Sequence, residues 1–187
     1  MKLNNKYYIL RHGEAISNAK QIVSSWPEKF HNPLTKNGVS QIKKAAKKLK
    51  KRHIDLMIVS DLLRTKQTAE ILSKSLKIGP KFDKRLREVN FGNMNGKSAE
   101  ELLYMGFRKD KVNKGGEKSE SYGDVLKRVL NFFTEVNRRY QGKNILIVSH
   151  QCPLWVLENK LEGFSLKEGL KIKPKEQRIR RGEIRRL

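Results

Sequence analysis

The sequence predicts a single α/β domain built around a mostly parallel β-sheet. Its 187 residues are about the length of one ordinary domain and are enough to bury a sizeable core. Short apolar runs alternate with segments of helical periodicity, which is typical of chains that fold as strand, helix, strand. Three of the apolar runs end in polar residues, as strands do at the edge of a parallel sheet where ligands bind.

In the first half of the chain, residues 7–10 are the first predicted strand and residues 56–59 the second. A helix is predicted between them, because apolar residues recur there at helical spacing: Val39, Ile42, Ala45, Ala46 and Leu49. A further helix is predicted over residues 68–76, ending near Gly79 and Pro80, which are typical stop signals.

The second half begins with a looser stretch, residues 90–116, which contains at most a short helix around residues 99–105. Ser121, with Asp124 three residues later, predicts the start of a long helix. The apolar stripe of that helix comprises Val125, Val129, Phe132, Phe133 and Val136.

Residues 145–148 predict a central strand, and Pro153 suits the first turn of the helix after it. No internal repeat or linker composition divides residues 1–187, so we expect one domain. The basic C-terminal segment, residues 166–187, could be a final edge strand plus a tail, or a junction to a larger protein.

The charge is strongly positive, since 42 Lys and Arg against 19 Asp and Glu give a formal net charge of +23. Residues 36–52 carry eight basic residues and no acidic one, and residues 171–186 carry eight basic and two acidic. Such a field attracts polyanions, either RNA bound without sequence specificity or a phosphorylated substrate. Lys-rich solvated helix faces are also common, and no aromatic-rich RNA-binding signature accompanies either zone.

Several classes of protein are excluded by composition. No apolar run approaches the roughly 18–20 residues of a membrane span, and the first ten residues lack a signal-peptide core. We therefore expect a cytoplasmic protein without a membrane partner. Cys152 is the single cysteine and the four histidines lack paired spacing, so we expect neither a disulfide nor a metal or other cofactor.

Polar residues follow three predicted strands. Arg11 and His12 follow the first, Asp61 and then Arg64 follow the second, and His150 follows the last. Because the carboxyl ends of parallel strands share one edge, two histidines and two arginines should converge there. A cluster of positively charged and imidazole side chains predicts an anion-binding site.

This set of residues is suited to phosphoryl transfer. Arginine offers forked donors that match phosphate oxygens, and Gly13 lets a ligand approach the backbone closely. A neutral imidazole can attack phosphorus while the flanking cations stabilise the transferring group without a metal. His31, in a loop, and His53, after a basic helix, have no such setting and are interpreted as structural.

The leaving oxygen also needs a proton donor. Glu88 is the candidate, because it begins an irregular Gly-bearing stretch that can reach over the edge of the sheet. Glu14, two residues beyond His12, is the rival. Either carboxylate could instead be an ion-pair partner of neighbouring arginines.

Six ordered segments resemble the histidine phosphatase superfamily, also called phosphoglycerate mutase-like. They are LRHGEAISN, PLTKNGVSQ, SDLLRTKQTAE, LREVNFGNMNG, GGEKSESYGDV and IVSH, and the match runs from residue 7 to about residue 161. The resemblance implies a three-layer α/β/α sandwich. It also implies that His12 becomes a phosphohistidine and that Glu88 is the proton donor and then the base for water. The residues it assigns to holding the phosphoryl group are Arg11, Asn18, Arg64 and His150.

The chain departs from the family pattern after the second histidine, where glycine is common and Gln151 stands here. We expect Gln151 to contribute to the substrate-binding wall. The stretch between Glu88 and His150 is shorter than in the mutase branch, whose insertion encloses its sugar phosphate. A short, open lid shields a phosphoenzyme poorly from water, which favours hydrolysis.

The sequence thus predicts a histidine acid-type phosphatase that hydrolyses phosphate monoesters of small molecules without a metal. Two alternatives remain: a phosphoglycerate mutase-type phosphotransferase, and a phosphate- or RNA-binding accessory domain of a larger, tRNA-handling enzyme. A P-loop is disfavoured, because residues 92–98 have three residues between their glycines where four are needed. A cysteine phosphatase is disfavoured because no arginine follows Cys152 closely.

Overall fold

One five-stranded sheet organises the part of the chain that the computed structural model describes, residues 2–104, 118–172 and 177–187. The strands are β1 (Lys6–Arg11), β2 (Leu56–Val59), β3 (Pro80–Phe82), β4 (Asn144–Ser149) and β5 (Ile184–Arg186), in the spatial order β3-β2-β4-β1-β5. All pairs are parallel except β1 with β5, which is antiparallel and lies at one edge.

Helices cover both faces of this sheet. They are α1 (Ile16–Ala19), α2 (Lys36–Leu49), α3 (Leu63–Leu76), α4 (Ala99–Tyr104), α5 (Tyr122–Arg139), α6 (Gln151–Leu161) and α7 (Leu166–Ile172). Helices α2 and α3 pack on one face, and α5 and α6 on the other. The fold is therefore a three-layer α/β/α sandwich, as the sequence predicts.

The alternation of side chains along β1 explains why the sheet is covered on both sides. Tyr7 and Ile9 are buried against α5 and α6, whereas Tyr8 and Leu10 are buried against α2 and α3. Successive side chains of a strand point to opposite faces, so a strand that is apolar at every position needs a layer on each side.

Four elements differ from the sequence-based expectation. One is the four-residue helix α1, which was not predicted because a single turn carries no helical periodicity. Helix α3 begins at Leu63, five residues before the predicted residue 68, so Arg64 lies in its first turn. Strand β3 was not predicted, because three residues beginning with a proline carry no apolar pattern; a proline is tolerated there as the first residue of an edge strand. Helix α7 was also missed, since it lies in the basic segment.

The short helix expected around residues 99–105 is found as α4, although Met105 lies outside the described residues. The same holds for the rest of the looser stretch, residues 106–116, and for the first three residues of the GGEKSESYGDV segment. Among the helices that the structure does describe, none combines the length and apolar character needed to cross a bilayer.

Candidate active site

The carboxyl ends of three adjacent strands build the candidate site. His12 directly follows β1, and its backbone N–H donates to the carbonyl of Ser149 at the end of β4 (3.1 Å). His150 then forms the N-cap of α6, and Ser60 directly follows β2. The parallel register therefore brings residues that are distant in the sequence to one edge, as predicted.

His12 is buried and held in a defined orientation. Its Nδ1 lies 2.7 Å from the carbonyl oxygen of Gly13, and the Nε–H of Arg64 donates to its Nε2 at 3.3 Å. A carbonyl can only accept and an arginine can only donate, so the proton lies on Nδ1 and the lone pair on Nε2. The unprotonated nitrogen is the one that faces the arginine.

Burial, together with the positive charges of Arg64 and Arg11, holds the pKa of His12 well below its usual range. Desolvation disfavours the charged imidazolium, and nearby cations disfavour it further. The imidazole is therefore neutral at physiological pH, which is the form that can act as a nucleophile.

The second histidine, His150, lies beside the first, with 5.0 Å between the ring centroids. Its Nε2 is 2.8 Å from the hydroxyl of Ser60, whereas its buried Nδ1 has no partner among the described residues. We assign the Ser60 hydroxyl as the donor to Nε2, so that Nδ1 carries the proton and is free to donate to a ligand. Burial, followed by the charge of Arg64, also lowers the pKa of His150 well below its usual range.

Two arginines, the buried Arg64 and the half-buried Arg11, complete the cationic group. Arg64 also donates through Nη1 to Ser24 Oγ and to the carboxylate of Glu28, both at 3.3 Å. Burial lowers the pKa of Arg64, while Glu88 and Glu28 oppose that shift. Burial likewise lowers the pKa of Arg11 to about 10, so Arg11 remains charged near neutral pH.

Two donors in this group are unsatisfied. Arg11 donates through Nη1 to the carbonyl of Ile179 (3.2 Å), but its buried Nε has no partner in the described part of the chain, and His150 Nδ1 has none either. Buried polar groups are almost always hydrogen-bonded, so two such donors beside a neutral histidine indicate a place for an anion.

Glu88 is buried and is fixed through one oxygen. Its Oε1 accepts from the backbone N–H of Val89 (3.0 Å) and of Cys152 in the first turn of α6 (3.3 Å). No residue in the described ranges hydrogen-bonds to Oε2, which is thus available to a substrate. The carboxylate also interacts electrostatically with both Arg11 and Arg64.

The backbone around Glu88 is held by side chains from two other elements. Its carbonyl accepts from Trp26 Nε1 (2.8 Å) and from Arg128 Nη2 of α5 (3.0 Å). One residue earlier, Arg87 forms a bidentate pair with Asp61 (2.7 and 2.6 Å). Asp61 is therefore an ion-pair partner that ties this segment to the end of β2.

The remaining candidates from the sequence lie elsewhere or have other contacts. Asn18 caps its own short helix by accepting from the backbone of Ala15 (3.0 Å). Gln151 is half-buried at the first position of α6, next to His150. Glu14, the rival to Glu88, accepts from the hydroxyl of Thr35 at the start of α2 (2.7 Å). His31 and His53 lie outside the cluster, on the surface.

Sequence reasoning missed three contributors. Ser60 orients His150, and Glu28 anchors Arg64 while also accepting from the backbone N–H of Leu63 (3.1 Å). Arg181 helps to lower the pKa values of Arg11 and His12. Ser60 could have been found, since it follows a predicted strand, but no local signal marks Glu28 or Arg181.

The fold and this site define a protein that binds an anion around a neutral histidine. The chain matches the family model of the histidine phosphatase superfamily, branch 1, over residues 7–185, and it belongs to that family. It is therefore an enzyme of the phosphohydrolase and mutase class, which acts on phosphate groups. No group of three or more His, Cys, Asp or Glu that could hold a metal ion occurs within the described residues.

Relatives and solved structures agree with this membership. The chain is 31% identical over 166 residues to "Probable phosphoglycerate mutase GpmB" of Salmonella choleraesuis. This alignment covers 84% of the chain and 74% of the relative. It is similar in fold to Bacillus stearothermophilus YhfR, with a TM-score of 0.79 and 26% identity. The superposition covers 88% of this chain and 83% of YhfR. A mycobacterial glucosyl-3-phosphoglycerate phosphatase complexed with VO3 is also similar in fold, with a TM-score of 0.85 and 21% identity. The superposition covers 97% of this chain and 92% of that phosphatase.

Proposed function

We propose that the protein hydrolyses phosphate monoesters of small molecules, without a metal, through a phosphohistidine on His12. The observation that carries this proposal is the state of His12: a neutral imidazole, with Nδ1 held by the Gly13 carbonyl and the Nε2 lone pair directed at a cationic group, where it accepts from Arg64. A nucleophile needs an available lone pair, and the transferred phosphoryl group needs fixed positive charge around its oxygens.

In the first step, the Nε–H of Arg64 turns from Nε2 of His12 to a phosphate oxygen, and Nε2 attacks phosphorus while the ester P–O bond breaks. Arg64, Arg11 and the Nδ1–H of His150 donate to the non-bridging oxygens, where charge accumulates in the transition state. Glu88, in its protonated form, gives its proton from Oε2 to the departing alkoxide, which leaves as an alcohol.

In the second step, Glu88 is a carboxylate and accepts a proton from a water molecule that attacks the phosphohistidine. The P–N bond breaks, inorganic phosphate forms, and the lone pair returns to Nε2. Since Glu88 regains its proton and His12 its lone pair, the enzyme is unchanged after one turnover.

The central experiment measures phosphate release from p-nitrophenyl phosphate in the presence of a metal chelator. We expect turnover that is insensitive to the chelator and is abolished by His12→Ala. His31→Ala is the matched control, because it removes an exposed imidazole away from the cluster. Activity retained by His12→Ala, or activity lost on chelation, would contradict the proposal.

A mutase is the second candidate, and the name of the 31%-identical relative favours it. In a mutase the phosphohistidine returns its phosphoryl group to the bound product instead of to water. Incubation with a monophosphoglycerate separates the two reactions: free phosphate is expected from hydrolysis, whereas accumulation of the isomer would establish the mutase. The short stretch between Glu88 and His150 supports hydrolysis.

A further inference from the structure

A polar groove of about 620 Å³ lies between α2 and the C-terminal segment. We call it the C-terminal groove, and its lining includes Gln41, Lys44 and Lys48 on α2 and Gln177, Arg180 and Arg181 opposite them. Glu183 and Arg185 also line it, but they pair with each other (2.7 Å), and Arg185 pairs further with Glu158.

Three cations of the C-terminal groove have no ion-pair partner among the described residues. Lys44, Lys48 and Arg181 are exposed, and none of them forms an ion pair with another residue in the described ranges. Three like charges around one concave surface repel each other, and a bound anion would relieve that repulsion. The groove thus has the charge and shape of an anion site.

The C-terminal groove adjoins the site around His12 through the backbone on either side of Arg181. The carbonyl of Ile179 accepts from Arg11 Nη1 (3.2 Å), and the N–H of Gly182 donates to the carbonyl of Arg11 (3.0 Å). The charge of Arg181 helps to lower the pKa values of Arg11 and His12, so it also acts on the catalytic group.

Helix α2 connects to the same edge of the sheet. Gln41, at the near end of the groove, accepts from the backbone N–H of Glu14 (2.9 Å), two residues after His12. Gly182 packs against Gln41 so closely that a Cβ there would lie 2.9 Å from the Gln41 Cβ. One end of the groove thus lies against the backbone on either side of His12, and the groove runs along α2.

We propose that the C-terminal groove is a second anion-binding site, in which Arg181, Lys44 and Lys48 hold a second phosphate or carboxylate group of the substrate. The substrate class is then a phosphate monoester whose second anionic group is joined through a linker, with the scissile phosphate at His12. The placement of the scissile phosphate of this substrate at His12 rests on the proposed function.

Non-hydrolysable phosphonates test this site directly by calorimetric titration of the whole protein. A linear alkylphosphonate supplies one anion, and the alkane-1,ω-diphosphonate of equal carbon count supplies two. For at least one of several chain lengths, we expect the diphosphonate to bind about tenfold more tightly than the alkylphosphonate of equal length. A charged hydrogen bond contributes about 1.4 kcal/mol or more, which corresponds to this factor. Arg181→Gln and Lys44→Gln should each remove most of this preference.

Lys43→Gln is the matched control, because it removes the same charge from the next residue of α2, which does not line the groove. Its preference for the diphosphonate should persist. A diphosphonate that binds no more tightly at any chain length, or an equal loss of preference in Lys43→Gln, would overturn the second site in favour of a general charge field.

Hydrolysis of p-nitrophenyl phosphate, measured in parallel, distinguishes the two proposals. Turnover without a preference for the diphosphonate contradicts the second site alone. Preferential binding of the diphosphonate without turnover supports the second site and contradicts the proposed function.

Discussion

At the scale of single residues, we propose Glu88 rather than Glu14 as the proton donor. Two backbone N–H groups hold Oε1 of Glu88, and its other oxygen is available, whereas Glu14 is bonded to Thr35 at the start of α2. The residue pattern alone leaves the choice between these carboxylates open, and the contacts of their side chains support Glu88.

Glu88→Gln should lower kcat by a factor on the order of 10²–10⁴, the usual contribution of a placed general acid. The loss should be largest for alkyl phosphates, whose leaving groups need a proton, and smallest for p-nitrophenyl phosphate. Steady-state kinetics over a series of leaving groups measures this. Glu14→Gln is the control, and equal losses in both variants would contradict the assignment.

The two buried histidines should stay neutral at mildly acidic pH. Burial and the arginine charges lower both pKa values, so the NMR resonances of His12 and His150 should not titrate as the pH falls through 6.5. Comparison with His12→Ala and His150→Ala assigns the signals. Full titration of either ring near pH 6.5 would contradict the electrostatics derived from the structure.

The same shifts make stability depend on pH. Below about pH 6.5 the unfolded chain binds protons at these two histidines and the folded chain does not, so the free energy of unfolding decreases as pH falls. Thermal unfolding at pH 7 and pH 5.5 should show a lower Tm at the acidic pH, with a smaller decrease in His150→Ala.

At the scale of elements, the turn after β1 is fixed by contact between two glycines. A Cβ on Gly13 would lie 2.5 Å from the carbonyl oxygen of Gly38 in α2, and a Cβ on Gly38 would lie 2.0 Å from the carbonyl oxygen of Glu14. Both contacts are with backbone, which cannot move aside as a flexible side chain can. The close approach of α2 to this turn sets the position of His12.

Gly13→Ala and Gly38→Ala should therefore each cost about 1–3 kcal/mol of stability, the range for overpacking a tight contact. Activity should fall as well, because the turn carries His12. Chemical denaturation and phosphate release measure the two effects. Gly79→Ala is the control: nothing lies within 4 Å of its added Cβ, so its stability should change by no more than about 0.5 kcal/mol.

The order of strands and helices was largely predictable, because β1, β2 and β4 are apolar at nearly every position. Their shared carboxyl edge made the convergence of His12, Arg64 and His150 predictable as well. The short strand β3 was not, since it forms only because β2 offers an open edge for three residues to pair with. Contacts such as that of Arg11 with Ile179, 168 positions apart, were also unpredictable, because they depend on the antiparallel pairing of β5 with β1.

At the scale of the whole molecule, the charge of +23 creates a surface that attracts polyanions. The exposed face of α2 and the turn after it contributes Lys43, Lys44, Lys47, Lys48, Lys50, Lys51 and Arg52. Cations of this kind bind nucleic acid through phosphates and carry no sequence information.

We expect tRNA to bind this surface without sequence preference and with strong dependence on salt. In a filter-binding titration, affinity should fall about tenfold or more between roughly 50 and 200 mM salt, and a scrambled RNA should bind equally well. Binding that survives the higher salt, or that requires a particular RNA, would instead support the alternative of an RNA-binding accessory domain.

The most direct measurement of the central claim is a rapid-quench experiment with a ³²P-labelled phosphate monoester. A label trapped on the protein within one turnover should be acid-labile and stable to alkali, should map to the peptide that contains His12, and should be absent from His12→Ala. Turnover without any label at His12, or a label that persists in His12→Ala, would contradict the account.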